Sequence, residues 1–411
     1  MAKPEIMAGL DMGSGRVTCV IGSPDPEGRG MHVMGGATVA CRGLKGGVVV
    51  NINETARAVR LAVEKAEEDA KQMVHGLHLG IRGSHLQSFN NHGAYNIART
   101  DKEITADDVR AVIETAKAIP MSSDREILHV IPQSFSLDRQ KGVPDPVGME
   151  GSLLEVDVHI VTASSSHLNN LTKAVAEAGF EVVETVYSLL ALGEFLVTPE
   201  ERDLGSLLVD VGGQSISIGI YAEGAVKFSK ELAIGSDFIT RDIAVGLRTN
   251  TPTAERIKLE YGVAHSKHMN GDVEIEFKGV DGRTAHRVKN STLMNIILPR
   301  VEEMFTYVGE EVQNSNFADL VVPGGAIVSG GGAMLKGMTD AVEAVLSMPA
   351  RLGLAHPDSV TASEALMGSV YSTALGLVCY PHAGLQDSMS LSRRPEMRWV
   401  KRARGFIKDI F

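Results

Sequence analysis

Two short stretches of the chain set an aspartate beside bare backbone, a pairing suited to a polyphosphate and its metal ion. The first is Asp11-Met12-Gly13-Ser14-Gly15 and the second is Asp210-Val211-Gly212-Gly213. Glycine permits a tight turn whose N–H groups can point at phosphate oxygens. A carboxylate cannot usefully touch phosphate, but it can hold magnesium through water. Neither stretch ends in Gly-Lys-Ser/Thr, so neither is a Walker loop. One Asp-x-Gly turn alone reads as an ordinary turn; two in one chain point to similar halves closing on one polyphosphate. A third glycine signal, Gly330-Gly331-Gly332-Ala333-Met334-Leu335, leaves a flat backbone surface where a ring could lie. The start of the helix expected beyond it favours nearby negative charge.

Other groupings are chemically bland. His265 and His268 stand near Met269 without a Cys or acid to complete a tetrahedral metal set, and read as a polar loop. His75 and His78 bracket Gly76 at a helix end. No Ser-His-Asp or Cys-His arrangement is visible. A phosphotransferase would need a general base at a substrate pocket, and Asp157 and Asp203 have no supporting pattern.

The elements that must position the aspartates follow from periodicity. Residues 6–10 and 17–21 read as strands flanking the first turn, and residues 207–211 and 216–220 as strands flanking the second. In the latter, Ile216, Ile218 and Ile220 alternate with Ser217 and Gly219. A strand over 31–39, a helix over 53–75 and a strand over 77–81 complete a β-β-β-α-β unit. Residues 84–95 are polar and rich in Asn, His and Gly, and mark a change of texture. Thr105 with Asp108 three residues on starts a helix, and strands follow at 127–132 and 153–162 around the turn residues Asp145-Pro146 and Gly148. Helices are expected over 166–178, 188–196, 236–247, 253–261 (capped near Thr251 or Thr253), 293–312, 338–346 and 364–377. Strands are expected at 182–186, 225–232, 273–277, 284–288 and 326–329, with Asp281-Gly282 signalling a hairpin.

The bulk properties exclude several classes. With 411 residues and 44% hydrophobic content, the chain can build large cores in two to four domains. Cys19, Cys41 and Cys379 are too few and scattered for a disulfide framework and read as buried thiols in a reducing compartment. No apolar run reaches the roughly 18 residues of a spanning helix, and no signal-peptide pattern is present. The net charge of −11 argues against general nucleic-acid binding. It conceals an asymmetry, because residues 393–411 carry seven Lys/Arg against Glu396 and Asp409, leaving −16 for the remainder. In that segment Trp399, Ala403, Phe406, Ile407, Ile410 and Phe411 gather on one side of a helix, while Arg398, Lys401, Arg402 and Lys408 fall largely elsewhere. A basic amphipathic helix of this kind lies on an anionic membrane surface; docking of the helix against the body is the alternative. Trp399, Val400, Lys401, Arg402, Phe406, Ile407, Ile410 and Phe411 are its candidate membrane contacts.

The two Asp-x-Gly hairpins, the Gly-Gly-Gly junction and the inserts resemble the actin/Hsp70/sugar-kinase superfamily. Asp210-Val211-Gly212-Gly213, Ala254-Glu255-Arg256-Ile257-Lys258 with Tyr261-Gly262, and the run from Val328 to Met338 narrow this resemblance. With Ile131-Pro132-Gln133, Asp145-Pro146-Val147-Gly148-Met149 and the basic end, the chain is similar over residues 5–411 to the FtsA family of bacterial cell-division proteins. The resemblance implies an α/β fold: an actin-like (ribonuclease H-like) two-lobed architecture with two inserted subdomains and a C-terminal amphipathic helix. It implies a first lobe from 1–82 and 164–196 with an insert at 83–163, and a second lobe from 197–227 and 301–366 with a small subdomain at 228–300. The chain would return to the first lobe over 367–384, followed by a linker at 385–392 and the helix at 393–411.

By the same resemblance, ATP and Mg2+ would be the cofactors. Asp11, Gly13, Ser14, Gly15 and Arg16 would form one phosphate loop and Asp210, Gly212, Gly213, Gln214 and Ser215 the other, with Asp11 and Asp210 on the metal. Glu255 and Lys258 would reach the ribose and base, and Gly330, Gly331, Gly332 and Met334 the adenine. The implied role is a filament on the cytoplasmic side of the inner membrane at the division site. It would tether FtsZ through that protein's C-terminal peptide at 228–300 and recruit later division proteins; the insert would serve these and self-association. The alternatives are another actin-like scaffold, for pilus assembly or cell shape, and a small-molecule kinase. Three residues depart from the family pattern. Gln214 stands where it has bare backbone, Ser217 where it has an acid, and Arg16 where it often has lysine. Slow or absent hydrolysis is expected from the first two.

Overall fold

Two sheets of the same design form the body of the chain. In the first, strand Met7–Met12 pairs antiparallel with Arg16–Pro24, which pairs antiparallel with Met31–Ala40. On its other side Met7–Met12 runs parallel to Gly76–Ile81, which runs parallel to Glu181–Tyr187. The second sheet repeats this with Ser206–Val211 at the centre. It pairs antiparallel with Ile216–Ala222, itself beside Ala225–Leu232, and parallel with Ala326–Ser329, then Ala350–Leu352. Both central strands are buried along their whole length, as strands covered on both faces must be. The structure is a computed structural model; it describes residues 5–25, 30–269, 271–321, 323–354 and 360–380. The linker 385–392 and the membrane-contact residues of 393–411 lie outside the described residues.

One core lies around the first sheet and takes in Leu208, Tyr221 and Ile327 from one face of the second, whose other face has a core of its own. Helix Ile52–Ala70 covers the first with Val59, Ala62, Val63 and Ala66 fully buried. It ends five residues before its expected C-terminus at His75, because Lys71 takes a left-handed φ of 53°, and Met73 is exposed. Helix Asn290–Asn314 buries Leu293, Ile297, Val301, Met304 and Val308 against the second sheet. It crosses the expected boundary at 300, and strand Ala225–Leu232 crosses the one at 228, so the small subdomain shares the second core rather than standing apart. Helix Thr251–Tyr261 is capped by Asn250, whose side chain accepts from the Thr253 N–H, rather than by a threonine. The single helix expected over 364–377 is two pieces, a 3-10 turn Glu364–Met367 and helix Ser372–Cys379. The chain rejoins the first sheet at Val360–Thr361, ahead of the expected 367, because Val360 pairs with Met31.

The insert carries a third core under a four-stranded sheet, in the order Gln87–Asn96, Leu153–Ser164, Arg125–Leu137, Gln140–Val143. Thr105 and Asp108 form the expected capping box of helix Ala106–Lys117. The insert also lies on the exposed edge of the second sheet. Gln133 donates to the Val226 carbonyl at 2.7 Å and Asn90 to the Lys227 carbonyl at 2.9 Å. His159, which burial holds neutral with its pKa lowered to about 3, bridges Asn90 and the Ser229 hydroxyl. An otherwise unpaired strand edge is thereby covered.

Candidate nucleotide site between the lobes

Sheet register delivers both aspartates to one place. Asp11 is paired with Thr18 and Gly80, and Asp210 occupies the equivalent position beside Ser217 and Ser329. Both lie in the last turns of strand rather than in the loops: the first loop proper is Gly13–Gly15 and the second Gly212–Ser215. In the first loop, the Ser14 hydroxyl accepts from the Gly46 N–H at 3.1 Å, and the Gly15 carbonyl from Cys41 N–H at 3.1 Å. Gly15 and Arg16 are exposed, and a Cβ on Gly15 would meet nothing within 4 Å. In the second loop, Gly212 N–H donates to the Ser215 carbonyl at 2.9 Å, and the Gly212 and Gly213 carbonyls accept from Ser236 and Asp237 at the start of helix Ser236–Gly246. Gln214 donates to the Asp237 carboxylate at 3.1 Å, so its side chain is tied to that helix.

The triple glycine has two functions. Gly330 adopts φ 88°, and a Cβ there would stand 2.5 Å from Asp210 Oδ1; a Cβ on Gly332 would stand 2.5 Å from a Val211 methyl. Those two let the strand ends close on one another. Gly331 alone faces open space, and Met334 beside it is exposed. Residues Gly331–Met334 form a 3-10 turn of their own, ahead of helix Met338–Leu346, which has the bounds expected of it. Lys258 is buried; its Nζ lies 2.8 Å from Glu255 and donates to the Thr240 hydroxyl at 2.8 Å. Glu255 and Lys258 thus brace helix Thr251–Tyr261 on helix Ser236–Gly246, with Glu255 partly exposed. His268 pairs with Asp340 at 2.8 Å, in keeping with a polar loop, and among the described residues no cluster of three His, Cys, Asp or Glu could hold a metal. Cys19 and Cys41 are buried free thiols, while Cys379 is half-buried.

Arg82, which nothing in the local sequence marks, occupies the centre. Its Nη2 lies 3.4 Å from Asp11 Oδ1 and 3.2 Å from Asp210 Oδ2. Burial opposes its charge, but Asp11, Asp210 and Glu231 outweigh that and raise its pKa above the usual arginine value. Burial pushes the Asp210 carboxyl up; Arg82 offsets this and Asp11 adds to it. Beneath lies Glu231, pushed up to about 7 by burial despite hydrogen bonds from Ser217, Tyr187 and the Gly83 N–H. The signal that could have found Arg82 is its place directly after Gly76–Ile81, the strand that must lie parallel to the one carrying Asp11.

The bare loops fit a polyphosphate, and Asp11 Oδ1 is buried without a hydrogen bond. Two facing carboxylates also fit a hydrated divalent ion, although Arg82 already bridges them. A duplicated sheet with an aspartate-bearing hairpin in each half, both meeting at one cleft, defines the class as an actin-like two-lobed protein. The fold agrees with solved structures of that class. The PilM-PilN type IV pilus biogenesis complex matches with TM-score 0.64 at 17% identity, covering 90% of this chain and 97% of that one. MreB5 of Spiroplasma citri bound to ADP matches with TM-score 0.58 at 12% identity, covering 95% and 99%. Sequence is more specific: the family profile "SHS2 domain inserted in FTSA" matches residues 83–162 and "Cell division protein FtsA" residues 207–376. The cell division protein FtsA of Pseudomonas aeruginosa is 35% identical over 389 residues, 94% of this chain and 92% of that protein. This chain belongs to the FtsA family of cell-division proteins.

Proposed function

We propose that this chain binds ATP between its lobes, polymerises on the cytoplasmic face of the inner membrane and tethers FtsZ filaments there. The observation that carries the nucleotide reading is the convergence of Asp11 and Asp210, from duplicated hairpins, on one guanidinium group. Gly13, Ser14, Gly15 and Arg16 would contact phosphate from one side, and Gly212, Gly213, Gln214 and Ser215 from the other. Gly331 and Met334 would line the adenine, with Glu255 and Lys258 toward the ribose and base, and Gly330 and Gly332 setting the backbone. Mg2+ bound with the nucleotide would neutralise phosphate charge, with Asp11 and Asp210 facing it. Hydrolysis is slow or absent on this reading: Gln214 is held by Asp237 and Ser217 by Glu231, so neither is free to orient a water. The subdomain around 228–300 would receive the C-terminal peptide of FtsZ, and the insert would serve self-association and later division proteins.

Membrane attachment is assigned to residues 393–411. The seven Lys/Arg of this segment and its apolar side with Trp399, Phe406, Ile407, Ile410 and Phe411 support this, with about 1 kcal/mol per basic residue near anionic lipid. Co-sedimentation with anionic liposomes, with and without Mg-ATP, should compare the full chain with one ending at Ser392. Truncation should lower binding by more than about tenfold, and nucleotide should change the amount bound. Equal binding by both chains would make the end a docking helix and defeat the tethering role.

A further inference from the structure

We propose that Arg82 is a built-in cation that does at Asp11 and Asp210 what a divalent ion would otherwise do, so that nucleotide binding by this chain depends only weakly on Mg2+. The inference rests on the ATP reading above. Its grounds are which carboxylate oxygens remain free. Asp210 Oδ2 faces Arg82, and Oδ1 lies beside Gly330, 2.5 Å from where a Cβ on that residue would stand. Asp11 Oδ1 also faces Arg82. Mg2+ requires near-octahedral oxygen ligands at about 2.0–2.1 Å and keeps several waters, so an ion with its waters must compete with the guanidinium for these carboxylates.

Arg82 cannot readily leave. Its Nη2 also donates to the Thr373 hydroxyl at 3.1 Å. Its carbonyl lies 2.0 Å from where a Cβ on Gly47 would stand, so that glycine packs directly on the Arg82 backbone. The next residue, Gly83, donates its N–H to Glu231 at 3.2 Å. The guanidinium stays charged at every accessible pH, and ejecting it would leave two buried carboxylates facing one another without a counter-charge, an arrangement that strongly disfavours ionisation of both. A metal ion arriving with ATP therefore stays on the phosphates and gains little from the aspartates.

The test has two arms on the full-length protein. In the first, affinity for ATP carrying a fluorophore on its ribose is measured in EDTA and in Mg2+. Linked ligands commonly change one another's affinity by about 5–150-fold; the wild type should change by less than about threefold and Arg82→Ala by about tenfold or more. In the second, thermal unfolding is followed without nucleotide. Mg2+ should raise the melting temperature of Arg82→Ala, by occupying the vacated place, and leave the wild type unchanged. Should the alanine variant not fold, Arg82→Lys, whose single ammonium lacks the fork, should show the same Mg2+ dependence to a smaller degree. A wild-type affinity that falls about tenfold in EDTA, or a variant indifferent to Mg2+, would overturn the proposal. Absence of nucleotide binding in either condition would defeat the ATP reading instead, and the nucleotide-free arm would still decide the role of Arg82.

Discussion

Gly330→Ala should destabilise the protein by about 3 kcal/mol or more, from a strained left-handed residue plus steric overlap. The Cβ would stand 2.5 Å from both Asp210 Oδ1 and the Val211 carbonyl, at φ 88°. The backbone must shift, and what shifts is the end of the strand that carries Asp210. ATP affinity should therefore fall together with stability, by about tenfold for each 1.4 kcal/mol lost from binding. The neighbouring Gly331→Ala separates the two effects. Its Cβ meets nothing within 4 Å, so stability should change by less than about 1 kcal/mol while a ring lying on that surface is displaced. Urea unfolding and nucleotide titration of both variants check this; equal stability losses would show that the three glycines are not divided as described.

Glu231→Gln should remove a pH dependence of stability worth about 3 kcal/mol, at roughly 1.4 kcal/mol per unit of pKa difference. Burial raises the carboxyl from 4.5 to about 7 in the folded protein, with Ser217, Arg82, Tyr187 and the Gly83 N–H pulling the other way. A raised carboxyl binds its proton more tightly when folded. Its stabilising share is thus complete below about 4.5, is lost as pH rises to about 7, and is flat above. The amide cannot ionise; its oxygen can accept from the Gly83 N–H and its NH2 can donate to the Tyr187 hydroxyl oxygen. Unfolding free energies between pH 4.5 and 8 should diverge, the variant holding level where the wild type declines. Parallel profiles would mean that Glu231 is not the titrating group.

The hairpins were legible because each concentrates its signal locally: Ile216, Ile218 and Ile220 alternate with small residues around a turn only glycines permit. The repetition of that pattern is what exposed the two lobes. Strand Gln87–Asn96 was not legible. Its polar residues have tertiary partners: Asn91 bonds the Ala116 carbonyl at 2.7 Å, Asn90 the edge strand of the second lobe, and Gly93 admits helix Ala106–Lys117. No periodicity could show this. The apolar spacing runs on to Met73 and lengthens the expected helix to 75, whereas Lys71 turns the chain at the end of Ile52–Ala70. At the site, the residues of both loops were readable from type and spacing. Arg82 and Glu231 were not, since a lone arginine after one strand and a glutamate near the end of another meet only through the pairing of distant elements.

The central claim is that one nucleotide is held by both lobes at once. Hydrogen exchange followed by mass spectrometry, on the full chain with and without saturating Mg-ATP, tests it most directly. Exchange should slow together in residues 11–16, 210–216 and 329–335, all three titrating with a single affinity. Protection confined to one lobe, or none in any of these segments at saturation, would contradict it.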